Sequence, residues 1–216
     1  MTKFSADHQR RPLPRRYNEL AFTLIGWRSM MVQLGLLGQD RTRYGGAGFG
    51  NISGRVMPLG TPQGRRAMLI SGSQTGGRQT MSRDDFCLVA RYDEQRNWVK
   101  SYGQLRPSSE TLTHGAIYDL SPAIRFVLHA HSALLWQQAR QLGIPISDAR
   151  AGYGTCDMAR EVRRMYRSST LSATHILAMG GHQDGIIVFG ETAERTGQVL
   201  LGYLARAYIA RAKRRP

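Results

Sequence analysis

Two histidines, His129 and His131, stand one residue apart in "FVLHAHSALL", residues 126–135. The stretch reads as a buried strand, and on a strand residues i and i+2 project from the same face. The imidazoles therefore lie side by side, and a metal ion takes both if a third ligand arrives from elsewhere. By itself an H-x-H pair equally fits two histidines held by ordinary hydrogen bonds. Two further groups bear on the choice. His182 lies in "GGHQDG", between two predicted strands, where a plain polar turn and a ligand-bearing loop are both open readings. Glu110 follows Ser108 and Ser109 at the predicted start of a helix. A carboxylate there either complements the helix dipole or stands beside an anion held on free N–H groups, poised for proton transfer. His114, one turn on, reads as structural; His8 falls in the N-terminal segment and His175 at a strand start.

The elements that must position these groups are marked by periodicity and punctuation. Residues 17–37 read as a helix with Leu20, Leu24, Met31 and Leu34 on one face and Gly38 at its end. A glycine-rich loop leads into a strand at "NISGRVM", and "AMLIS" (67–71), "FCLVARY" (86–92) and 98–100 read as further strands in antiparallel pairing. Ser108 is the expected N-cap of a helix reaching about Leu120, and "IRFVLHA" (124–130) the central strand. Ser132, Thr155 and Thr192 each begin a helix, and "HILAM" and "GIIVF" are strands around "GGHQD". Grouped strands flanked by helices predict a single α/β/α layered domain with a central, largely antiparallel sheet.

Composition narrows the function. The 216-residue chain carries 30 Lys and Arg against 15 Asp and Glu, a net charge of +15. The basic residues are dispersed except in "RRPLPRR", "REVRRMYR" and "RAKRRP", and no RNP, KH, zinc-finger or helix-turn-helix pattern accompanies them. The charge is thus expected to be a solvated basic surface rather than a nucleic-acid groove. Residues 1–16 and 211–216 are expected to be flexible basic tails around a domain at 17–210. No apolar run approaches the ~20 residues of a membrane span, so no membrane partner is expected. The N-terminus lacks the apolar core of a secretory signal, and two distant cysteines, Cys87 and Cys156, fit a reducing cytoplasm.

Five segments, in order, resemble the class II aldolase/adducin family, which contains L-fuculose-1-phosphate aldolase and L-ribulose-5-phosphate 4-epimerase: "GFGNISGRV", "LISGSQTGG", "RPSSETLTHGAIY", "HAHS" and "GTCDMAREV". The resemblance spans about residues 17–208. It implies that His129, His131 and His182 ligate a divalent ion, usually zinc, with Glu110 at the metal shuttling a proton. It implies that Gly50 with Asn51, Thr75 with Gly76, and Ser108 with Ser109 hold a substrate phosphate. It also implies a C4 homotetramer with active sites between subunits.

The implied activity is that of a lyase, splitting a small sugar phosphate or related hydroxy-carbonyl compound through a metal-stabilised enediolate. An epimerase, dehydratase or decarboxylase on the same platform, and a non-enzymatic assembly module, are the alternatives. Three features depart from the family pattern. "HQDG" stands where the family has H-G, leaving His182 and Asp184 as rival third ligands. "SGSQTGG" is longer than the usual T-P-(S/T)-G loop, leaving a substrate without phosphate open. The stretch from "GIP" to "GT" is short and lacks the tyrosine acid of the aldolases; Tyr153 is close by in sequence, and Tyr203 and Tyr208 sit on the apolar stripe of the last helix.

Overall fold

A computed structural model describes residues 4–214. Along the chain, β1 (Ser5–Arg10) precedes α1 (Asn18–Gln33), and β2 (Gly38–Gln39) pairs with β3 (Gly48–Phe49) as a small separate hairpin. Then come β4 (Asn51–Arg55), β5 (Met68–Ser71), β6 (Phe86–Asp93), β7 (Trp98–Gly103) and α2 (Thr111–Tyr118). The second half holds β8 (Phe126–His131), α3 (Ala133–Gln137), α4 (Cys156–Ser168), α5 (Leu171–Thr174), β9 (Ile176–Ala178), β10 (Gly185–Gly190) and α6 (Ala193–Ala212).

Eight strands form one sheet in the order β1-β7-β6-β5-β4-β8-β10-β9, antiparallel throughout except for the β1–β7 edge pair. The period of two sorts the core into two layers. Leu69, Leu88, Leu128, Ala130, Ile186 and Val188 pack with Leu24 and Met31 of α1, Leu135 of α3 and Leu200 of α6. Their chain neighbours Met68, Ile70, Val127, Ile187 and Phe189 pack on the opposite face, with Leu112 and Ile117 of α2 and Met158 and Val162 of α4. The layered α/β/α domain is thus the architecture of this chain.

Several expectations are corrected. Ser5–Arg10, placed in a flexible tail, pair in parallel with β7 from Ser5↔Trp98 to Arg10↔Gly103, with Phe4 buried at the start. An edge strand of this kind has mixed polar sequence and answers to a partner nearly a hundred residues away, so nothing local marks it. The C-terminal basic segment is helical as far as Ala212, while its last two residues lie outside the described ones. Helix α1 ends before Gly38. Gly35 takes a left-handed φ of 67°, its N–H donates to Val32 O (3.0 Å) and the Leu36 N–H donates to Met31 O (2.9 Å). This paired bonding closes a helix on a glycine, and it leaves Leu34 46% exposed rather than on the inner face. Helix α2 begins at Thr111 with Glu110 in the capping position, so Ser108 is not its cap. Ser108 instead opens the preceding turn: its carbonyl accepts from Thr111 N–H (3.1 Å) and its hydroxyl from Glu110 N–H (3.4 Å). The caps at Ser132 and Thr155 are as expected, and Thr192, read only as the approximate start of the last helix, proves to be its cap; each hydroxyl accepts from the backbone N–H three residues on.

Candidate metal centre

Strand β8 runs in the middle of the sheet between β4 and β10, and its two histidines face the α2 layer. Their neighbours follow from register. Asn51 of β4 lies opposite His129, and its amide nitrogen is 3.3 Å from His129 Nδ1. That contact holds the orientation of the His129 ring from its Nδ1 side. Gly185 of β10 lies opposite His131. A Cβ at Gly185 would come within 2.9 Å of the His182 ring, so the missing side chain is what lets His182 fold back over β8.

The turn between β9 and β10 carries out that folding. His182 N–H donates to Met179 O (3.2 Å), and Gly185 N–H donates to His182 O (3.0 Å). The three imidazoles converge: one ring nitrogen of each of His129, His131 and His182 lies within 4.8 Å of the others. Ring centroids are 4.9 Å apart for His129–His131, 5.3 Å for His129–His182 and 4.7 Å for His131–His182. His129 and His131 are buried, and His129 Nε2 and His131 Nδ1 have no hydrogen-bond partner among the described residues. Buried ring nitrogens without partners are costly unless something else occupies them. Burial holds both rings neutral: His131 is pushed down to about 3, helped by His182 and Arg43, and His129 is lowered by burial and then by its neighbouring histidines. Neutral imidazoles are the form a divalent cation takes.

Asp184, the rival ligand, is turned elsewhere. Its carboxylate accepts from the Tyr44 hydroxyl (2.8 Å), and it stands outside the triad. Glu110 is also outside the triad. It is buried, with Oε2 4.0 Å from His129 Nδ1, against the ring rather than among the converging nitrogens.

A cavity of about 660 Å³ opens over the triad. Gly50, Asn51, Thr75, Gly76, Ser108, Ser109 and Glu110 all line it, so the residues named from separate segments meet in one place. Tyr153 joins them, stacked on His182 with centroids 4.2 Å apart. Tyr203 and Tyr208 do not line it, and Tyr208 is half exposed rather than in the core. His114 is structural, as expected: buried on α2, it meets the Ser53 hydroxyl through Nδ1 at 2.7 Å. Sequence reading missed Tyr44. It sits at the tip of the β2–β3 hairpin with its ring edge on His131, centroids 4.6 Å apart, and Arg43 donates to its hydroxyl (2.9 Å). The one local signal is an aromatic residue placed just before two glycines in a polar loop.

The sequence profile of the class II aldolase and adducin N-terminal domain matches residues 36–207. The chain belongs to this family. Solved class II aldolases share the fold. L-fuculose-1-phosphate aldolase from Thermus thermophilus superposes with a TM-score of 0.64 at 16% identity, covering 90% of this chain and 94% of its own. A sugar-phosphate aldolase from Thermotoga maritima gives 0.66 at 14% identity over 92% and 99%. YgbL from Escherichia coli, a candidate aldolase/epimerase/decarboxylase, gives 0.67 at 14% over 94% and 93%. A comparison with the curated proteins gives no match.

Proposed function

We propose that this class II aldolase-family chain is a metal-dependent lyase that cleaves a carbon–carbon bond in a small hydroxy-carbonyl compound, with phosphorylated sugars as the first substrate class. The observation that carries the reading is the convergence of three imidazoles, with His129 and His131 held neutral by burial, beneath a cavity that also holds a buried carboxylate. His129, His131 and His182 would hold the ion, which we read as zinc. Bound there, a divalent cation supplies Lewis-acid stabilisation of negative charge on a substrate oxygen.

The remaining steps belong to side chains. Glu110 takes the proton from the hydroxyl on the carbon whose bond breaks, and returns a proton to the carbon left behind. Gly50 with Asn51, Thr75 with Gly76, and Ser108 with Ser109 offer neutral N–H and hydroxyl donors to the phosphate end. Tyr44, Phe49 and Tyr153 wall the cavity with aromatic surface and exclude water from the reacting atoms. We further propose a homotetramer acting in the cytoplasm; light scattering on a sizing column, giving four times the chain mass, checks the assembly.

Epimerisation or decarboxylation is the second reading, favoured by the shared fold with YgbL. Product analysis separates the outcomes: two fragments, an isomer, or carbon dioxide.

Metal analysis of the purified protein by elemental mass spectrometry tests the core of the proposal. About one divalent ion per chain is expected in the wild type, with near-complete loss in His129→Ala and His182→Ala. Glu110→Gln is expected to keep the ion and lose turnover by about 10²-fold or more. A wild type that binds no divalent ion when supplied with it overturns the lyase reading. Removing the ion with a chelator should also lower the melting temperature, by mass action on the folded state.

A further inference from the structure

Arg28 is among the largest fully buried side chains in the molecule, 2% exposed, on the inner side of α1. No carboxylate lies within ion-pair distance of it among the described residues, though Asp85 acts on it through space. Asp85 itself is bound to Arg78 and to the Ser82 backbone. The guanidinium spends its hydrogen bonds on one loop: one nitrogen donates to Thr75 O (2.8 Å) and to Gly76 O (3.2 Å). A buried charge with so little pairing is costly unless its field serves something.

The loop it holds is residues 72–76, every one of which lines the cavity. The N–H groups of Gly72 and Ser73 are engaged by Asp85 O and Arg106 O at 2.8 Å. Those of Gln74, Thr75 and Gly76 donate to no carbonyl among the described residues. A planar trans peptide points its N–H opposite to its C=O. With Thr75 O drawn onto Arg28, the Gly76 N–H therefore points away from Arg28. Among the described residues the cavity lining contains no Lys or Arg side chain, in a chain with 30 of them. An anion in the cavity therefore meets neutral donors, and Arg28 stands directly behind one set of them.

We propose that Arg28 is a positioning residue for the anionic group of the substrate. Its charge fixes and polarises the Thr75–Gly76 peptide from behind, which makes the Gly76 N–H an anion-binding donor without placing a cation in the cavity. The same low dielectric that makes the charge costly makes its field effective across one peptide. The ligand chemistry is a phosphate monoester or free phosphate. The inference rests on reading the cavity as the substrate site.

Inorganic phosphate is the probe. Isotope-labelled, zinc-supplied wild type is titrated with it while the Thr75 and Gly76 amide resonances are followed, and bound metal is measured on the same samples. A saturable shift of the Gly76 amide is expected. Arg28→Met should weaken phosphate about tenfold or more, and Arg28→Lys should recover most of that loss, with metal content unchanged in all three. If Arg28→Met does not fold, Arg28→Gln takes its place. The proposal is overturned by a silent Gly76 amide, by wild-type phosphate affinity in the neutral variant, or by a lysine variant as weak as the neutral one. A wild type that binds phosphate through Gly76 but no metal would sink the lyase reading and leave the role of Arg28 standing.

Discussion

His114, His129 and His131 are held neutral by burial, and unfolding in acid releases that constraint. His114 and His131 are pushed down to about 3 from an ordinary value of 6.5, and His129 is lowered in the same direction. A histidine whose folded value is depressed binds a proton more readily when unfolded. Its contribution to stability is complete above pH 6.5 and is lost as pH falls toward the folded value. The metal-free protein should therefore lose stability below pH 6.5, by up to ~1.4 kcal/mol per pH unit for each such histidine. Denaturant titrations at about pH 7.5 and about pH 5.5 measure this, and equal stabilities would contradict it. The two cysteines give an independent residue-scale check. Burial pushes the Cys87 thiol up to about 12, while Cys156 is part-exposed at the start of α4. At about pH 8 an aromatic disulfide reagent should titrate one thiol in the native chain and two after unfolding.

At the scale of elements, two contacts go against what local sequence suggests. Gly197 lies inside α6, where alanine is the better helix former by ~1 kcal/mol. A Cβ there would sit 1.9 Å from the Trp27 ring of α1, so the two helices close on that glycine. Gly197→Ala should lower the melting temperature, because overpacking of ~1–3 kcal/mol outweighs the helix gain. Strand β1 is the other case. Phe4 is buried in the α2-side core and His8 Nδ1 meets the Ser101 hydroxyl at 3.0 Å. Phe4→Ala should cost ~3 kcal/mol, which a truly flexible tail would not. Helix caps, by contrast, were legible: Ser132 and Thr155 act on N–H groups three residues away, well within the reach of sequence reading.

At the scale of the whole molecule, the +15 charge works against the compact state, and the exposed pairs Arg96–Asp93, Arg150–Asp148, Arg160–Asp157 and Arg195–Glu191 offset little of it. Raising sodium chloride from about 10 mM to about 300 mM shortens the screening length severalfold. The melting temperature should then rise by a few degrees, and a fall would mean that attractive pairs dominate the surface.

The sequence by itself determined the alternation that makes β8 a strand, and hence the shared face of His129 and His131. It determined the capped helix starts, and the order of short motifs that marked the family. These are signals of period two, of three-residue spacing, or of a few contiguous residues. The tertiary structure alone decided the rest. It chose His182 over Asp184 for the triad, because Asp184 is bound to Tyr44 from a hairpin 140 residues earlier. It put Glu110 against the His129 ring, Tyr44 over His131 and Arg28 behind the Thr75 loop. It turned part of an expected tail into a sheet edge. Each of these depends on a contact between distant segments, whose geometry exists only once the sheet register and the helix packing have been fixed together.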